Sequence, residues 1–197
     1  ASDVAGGTVS YSLSGTDAGS FTIDVSTGVV TINAIPDYEA KSSYSINVAA
    51  SDGTLTSTKA VTVSVADVAP AITSSTSVSV PEGTATSTVV YTASATDPAG
   101  GTVTYSLTGA DAGAFTINTS TGAVTFNASP DFETKSSYSF DVRASDPSGA
   151  FNTQAVVVSV SDVAPTISSS TSASVAEGTS TSTVVYTASA TDPAGGT

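Results

Sequence analysis

The sequence predicts an all-β fold: tandem immunoglobulin-like, Greek-key, seven-stranded sandwiches in a linear array. Three observations carry this expectation. ASDVAGGTVSYSLSGTDAGSFTI from Ala1 returns as ATDPAGGTVTYSLTGADAGAFTI from Ala95, and ATDPAGGT returns from Ala190, a period of about 95 residues with about two-thirds of positions identical. A repeat of that length is a whole small domain. Ser and Thr make up about a third of the chain, Val outnumbers Leu and Ile, and no stretch sustains a helical period, which favours strands and turns. Finally, apolar and polar residues alternate between breaks rich in Gly, Pro and Asp, the pattern of strands with one buried and one wet face.

The complete period, residues 69–164, is read as seven strands in order. TSVSV (Thr76–Val80) opens it. TVVYTASA (Thr88–Ala95) follows, with Val89, Tyr91, Ala93 and Ala95 expected on one face. TVTYSL (Thr102–Leu107) alternates Val103, Tyr105 and Leu107 with polar residues. AFTI (Ala114–Ile117) and AVTF (Ala123–Phe126) flank the turn at Thr121–Gly122. SYSFDVRA (Ser137–Ala144) alternates Tyr138, Phe140 and Val142, and QAVVVSVS (Gln154–Ser161) closes the unit. The breaks DPAGG, GADAG and DPSG carry turn chemistry. Seven short antiparallel strands in this length point to a Greek-key sandwich, although the Cys and Trp signature of immunoglobulin domains is absent.

Residues 1–68 are expected to be a partial repeat lacking the first two strands, and residues 165–197 to supply those two strands of a third. Two explanations fit. The chain is a window on a continuous array, the favoured reading because Ala190–Thr197 duplicates Ala1–Thr8. Alternatively, the tail of one copy completes the head of another by strand addition.

Seventeen acids face Lys41, Lys59, Lys135 and Arg143, for a formal net charge of -13. That balance lacks the basic footprint of nucleic-acid binding. Apolar runs are too short to insert directly into a membrane. With no Cys and no His, the usual nucleophile and base pairings are missing, and the chain is read as no enzyme.

The acids recur at fixed places: an Asp after the second strand (Asp3, Asp97, Asp192), the pairs Asp37/Glu39 and Asp131/Glu133, then Asp52/Asp146, Asp67/Asp162 and Glu82/Glu177. On a Greek-key sandwich the ends of non-neighbouring strands meet at the poles, so these carboxylates converge, and crowded carboxylates repel unless a cation neutralises them. Asp17, Asp24, Asp111 and Asp141 are read instead as turn and surface groups, and Lys41 and Lys135 as solvated lysines beside acids rather than crosslink donors.

SVSVPEGT, ATDPAGGTVTYSL, GAFTINTSTGAVTF, PDFETKSSYSFDVRASD and VVVSVSDVAP resemble bacterial cadherin-like repeats, and the similarity covers the whole chain. The resemblance implies calcium at the junctions between consecutive repeats. It implies Asp37, Glu39 and Asp67 with Asp97 and Asp146 at the first junction, and Glu82, Asp131, Glu133 and Asp162 with Asp192 at the second. Two departures reduce the ion count. The family's Asp-x-Asn-Asp-Asn-x-Pro linker is here ADVAP or SDVAP, and the second Asp of its Asp-x-Asp motif is Ala5, Ala99 or Ala194. Calcium takes six to eight oxygens, so one ion per junction, two completed by water and carbonyls, or none remain open.

The resemblance implies a stalk or filament segment of a large secreted bacterial surface protein, an adhesin or extracellular fibre, located outside the cell. Its partners would be neighbouring repeats of the same chain and other copies in a filament. A carbohydrate- or protein-binding module is the alternative. Sugar sites present exposed aromatics, whereas the Tyr and Phe here fall mainly on inward strand positions.

Overall fold

The computed structural model describes residues 7–195; Asp3 and Ala5 lie outside them. The chain forms two compact units. One comprises Ala1–Ala71, Thr96–Val103 and Asp146–Ala150, the other Ile72–Ala95, Thr104–Ser145 and Phe151–Thr197.

The second unit contains the complete sandwich. One sheet orders the strands Thr104–Thr108, Ser137–Ser145, Phe151–Ser161 and Ser77–Pro81; the other orders Phe115–Ile117, Ala123–Phe126 and Tyr91–Thr92. Alternation along Ser137–Ser145 and Phe151–Ser161 turns Phe140, Val142, Ala144, Val156, Val158 and Val160 inward, all buried. Phe115 bridges the layers, its ring 4.9 Å from Phe140 and 4.5 Å from Phe126, spacings at which aromatic pairs add to plain burial.

Two expectations are corrected. The strands are not all antiparallel: Ser77–Pro81 runs parallel to Phe151–Ser161, with Ser161 opposite Pro81. Nor is Thr88–Ala95 one alternating strand. Only Tyr91–Thr92 and Ala95–Thr96 are extended ladder residues, Val89 is 52 % exposed, and Val90 and Tyr91 are both buried. The break in alternation has a local cause. Val90 N–H donates to the Val124 carbonyl at 2.9 Å, while the Tyr91 hydroxyl donates to Ser74 Oγ and the Ser75 carbonyl at 2.8 and 2.7 Å. Both side chains are thereby held inward, as at a bulge. Gly122, at φ 71°, permits this approach, because a Cβ there would overlap the Ala93 carbonyl oxygen.

The first unit builds the sheet Ser10–Ser14, Ser43–Ser51, Thr56–Ser64 and the pair Phe21–Ile23 with Val30–Ile32. Among the described residues, Thr56–Ser64 and Val30–Ile32 are edge strands. Between them opens an apolar cavity of about 780 Å³ lined by Phe21, Val30, Ile32, Ile46, Val61 and Val63.

In the tail, Thr166–Ile167 pairs with Ala190–Thr191. Residues 172–176, counterpart of Ser77–Pro81, join no sheet. No helix among the described residues is long and apolar enough to cross a membrane.

Candidate metal centre

The parallel pairing builds the acidic pole of the second unit. Parallel strands end at the same edge, so the residue after Pro81 meets the segment after Ser161. Glu82 N–H donates to the Ser161 carbonyl at 3.0 Å. The Glu82 side chain, 3 % exposed, accepts from Phe132 N–H at 3.1 Å and Val163 N–H at 2.7 Å. Gly83 N–H donates to the Pro130 carbonyl at 2.9 Å. With φ at 71° and Pro193 atoms 3.0 Å from where a Cβ would stand, Gly83 lets the Asp192–Gly195 turn come close.

Around Glu82 the turns present their acids. Asp131 caps its own turn, accepting from Thr134 N–H at 3.0 Å and Thr134 Oγ1 at 2.8 Å; these bonds, the hydroxyl first, hold its pKa below the usual value. Asp192 accepts from Ala194 N–H at 3.0 Å. Carboxylate oxygens of Glu82, Glu133 and Asp192 lie within 4.8 Å of one another. A bond from its own backbone N–H favours the charged form of Glu133. Desolvation and the charges of Glu82, Asp192 and Asp162 outweigh it and push the pKa up.

The first unit holds the matching group. Oxygens of Glu39, Asp67 and Asp146 lie within 4.8 Å of one another. Asp146, 5 % exposed, accepts through Oδ1 from Ser148 Oγ, Gly149 N–H and Ala150 N–H at 2.8, 2.9 and 3.0 Å. Ser148 Oγ also bonds Asp67 Oδ2 at 2.5 Å. Asp146 Oδ2 and Glu39 Oε1 are buried and accept no hydrogen bond. The Glu39 carboxyl again has a self-bond that lowers its pKa, outweighed by desolvation, the Asp37 side chain and the charges of Asp67 and Asp146. A buried carboxylate oxygen without a donor costs free energy unless a cation meets it. An all-carboxylate set of hard oxygens suits calcium, so the residues present fit that ion.

Of the ten acids expected at the two poles, Glu39, Asp67 and Asp146 gather in one group and Glu82, Glu133 and Asp192 in the other. Asp162 lies close enough to act on Glu133, and Asp37 bonds Glu39 while accepting from Ala40 N–H at 3.1 Å. Asp97 is turned to its own loop, accepting from Ala99 N–H at 2.9 Å and Gly101 N–H at 3.3 Å.

Ser148 was not singled out by sequence reasoning; its signal is the DPSG turn, which sets a hydroxyl two residues after Asp146. Asp17 and Asp111 are structural, as expected, but through partners the sequence reading left solvated. Lys41 pairs with Asp17 and Lys135 with Asp111, and the second oxygens accept from Ser45 N–H at 2.7 Å and Ser139 N–H at 2.8 Å.

A cadherin domain model matches residues 2–66 and 76–161. Mouse Protocadherin Fat 4 is 31 % identical over 149 residues, covering 70 % of this chain and 3 % of that protein. Human Protocadherin Fat 1 is 32 % identical over 169 residues, covering 79 % and 4 %. The chain thus spans only a few per cent of the length of these relatives. The solved human CDH23 EC21-23 is alike in fold, with a TM-score of 0.50 at 22 % identity over 94 % of this chain and 69 % of that one. The relatives are mammalian and lend no support to a bacterial source.

Proposed function

Because the chain belongs to the cadherin family, we propose that it is a stalk or filament segment of a large extracellular adhesion protein, stiffened by calcium at its repeat junctions. Family membership points to an adhesion-type protein rather than an enzyme. A bacterial surface adhesin or fibre remains our reading of its setting, supported by the closely similar tandem copies and the reduced linkers ADVAP and SDVAP.

The observation that carries the calcium reading is the paired set of carboxylate clusters, one with two buried oxygens that accept no hydrogen bond. Glu39, Asp67 and Asp146 would hold one ion, with Asp37 and Asp97 beside them; Glu82, Glu133 and Asp192 would hold another, with Asp131 and Asp162 beside them. Bound calcium supplies the positive charge that cancels carboxylate repulsion. The chain's part is to hold the oxygens together beforehand. Glu82 is fixed by two backbone donors, and Asp146 by two backbone donors and the Ser148 hydroxyl. The half-exposed Phe151, a candidate sugar platform, is stacked against the Arg143 guanidinium at 3.7 Å, which favours the stalk over a binding module.

Thermal melting with and without calcium tests the reading. Stabilisation reaches about 2.7 kcal/mol at a hundredfold excess over the dissociation constant. Glu133→Ala should blunt that gain while Asp111→Ala leaves it intact. A melting curve indifferent to both calcium and chelator would overturn the calcium reading.

A further inference from the structure

We propose that Ser148 is a positioning residue for the carboxylate group of the first unit. Its hydroxyl ties the exposed carboxylate of Asp67 to the buried carboxylate of Asp146 and so holds both where a cation can meet them. The inference rests on the calcium reading and adds to it the device that assembles the site.

The carboxylates at this pole differ in how they are held. Asp146 is buried, and its Oδ1 accepts from Gly149 N–H at 2.9 Å and Ala150 N–H at 3.0 Å. Glu39 is half-buried, with its Oε1 shut away from water. Asp67 is exposed, and among the described residues its side chain has one hydrogen bond, donated by Ser148 Oγ to Oδ2 at 2.5 Å. That length belongs to a charge-assisted bond from a hydroxyl to a carboxylate, stronger than one between neutral groups. The oxygens of the three side chains lie within 4.8 Å of one another, close enough for like charges to repel. The serine bond is what keeps the Asp67 carboxylate turned toward the other two against that repulsion.

The hydroxyl is itself fixed. Ser148 Oγ lies 2.8 Å from Asp146 Oδ1 and accepts from Ala150 N–H at 3.3 Å. One hydroxyl carries one proton, so the two carboxylates share it. Asp146 keeps two backbone donors besides, whereas Asp67 has the serine alone, and Asp67 depends on it more. The same bonds divide the oxygens. Asp67 Oδ2 and Asp146 Oδ1 are engaged by the serine, while Asp146 Oδ2 is buried and has no donor. An orphaned oxygen on a side chain only 5 % exposed points to a cation at this pole rather than to acids gathered at a surface. Hydrogen bonds of this outer kind orient ligating carboxylates, and their loss costs about 10–100-fold in metal affinity. A hydroxyl stands two residues after the equivalent acid in the first copy as well, Thr54 after Asp52.

Calcium titration of the full, isotope-labelled chain, followed through backbone amide shifts by NMR, reads the two carboxylate groups separately. Gly149 and Ala150 report the Asp146 group, and Phe132 and Val163, the donors to Glu82, report the other. Ser148→Ala should move the Gly149 and Ala150 response to about 10–100-fold higher calcium and leave that of Phe132 and Val163 in place. Ser148→Thr, which keeps the hydroxyl, should restore the response. Ser148 is exposed, so neither change disturbs the core. An unchanged response in Ser148→Ala overturns the proposal. So does equal weakening of both groups, because the serine would then act on folding in general, and so does a threonine variant no better than alanine. A wild-type chain whose amides ignore calcium overturns the calcium reading and the serine's role together, whereas the first three outcomes overturn the serine's role alone.

Discussion

Residues 21–32 and 115–126 are nearly the same pair of strands, yet Phe126 is 2 % exposed and its counterpart Ile32 is 39 % exposed. The same contrast runs along the other sheet, where Val156 and Val158 are fully buried and Val61 and Val63 line an open cavity. Sequence identity of about two-thirds gives the two regions the same ladders in the same register: Leu13 faces Val48 as Leu107 faces Val142. The difference lies in what covers those ladders. The second unit has Ser77–Pro81 and Tyr91–Thr92 on its two edges, and the first has no counterpart among the described residues. Alternation decides which side chains face inward, while burial comes only when the opposing strands arrive.

Truncating the matched apolar side chain in each region breaks or sharpens that contrast most strongly. Phe126→Ala should cost the second unit about 3–5 kcal/mol in denaturant unfolding. Ile32→Ala should cost the first unit less than about 1 kcal/mol, because the side chain already meets solvent. Equal losses would mean that the two regions are closed to the same degree.

The Glu-Gly pairs come next. Glu82→Ala strands the N–H groups of Phe132 and Val163, a loss of about 1–3 kcal/mol. Glu177→Ala, in the exposed tail, should leave the melting temperature of dilute protein unchanged. A matching loss at Glu177 would contradict the difference in burial between the two carboxylates.

Acidity should act on both regions alike. Glu39 and Glu133 have pKa values raised above the ordinary 4.5, so the folded state binds protons more tightly there than the unfolded chain does. Without calcium, that stabilisation is present below 4.5 and is lost as pH rises through the raised values. Asp17, Asp52, Asp111 and Asp131 are lowered from 3.8, and Asp24, bonded by Ser26 and Thr27, falls to about 2. Their contribution is present above 3.8 and is lost as pH falls through the lowered values. Calcium-free melting temperature should therefore pass through a maximum on the acid side of neutrality, and Glu133→Gln should flatten its alkaline limb. A curve rising steadily to neutrality would contradict this.

How far the sequence could be read follows from the range of each interaction. Strands such as Ser137–Ser145 were legible because period two is local and long, and Phe140 and Val142 sit as the alternation requires. The break at Val90 and Tyr91 was not legible, because it depends on the Val124 carbonyl and on Ser74 and Ser75. Nor was the parallel ladder of Ser77–Pro81, whose partner lies some eighty residues away. Recurrence at strand ends marked the ten acids. Which of them meet was set by turn geometry: Asp97 and Asp131 spend oxygens on their own turns, while Glu39 and Glu133 are left to face the pole.

Native-state hydrogen exchange of the dilute, calcium-free chain tests most directly whether the opening strands decide burial. Amides of Ser137–Ser145 should exchange only through global opening of the second unit. The matched amides of Ser43–Ser51 should exchange far sooner. Equal protection of the two strands at high dilution would contradict the account.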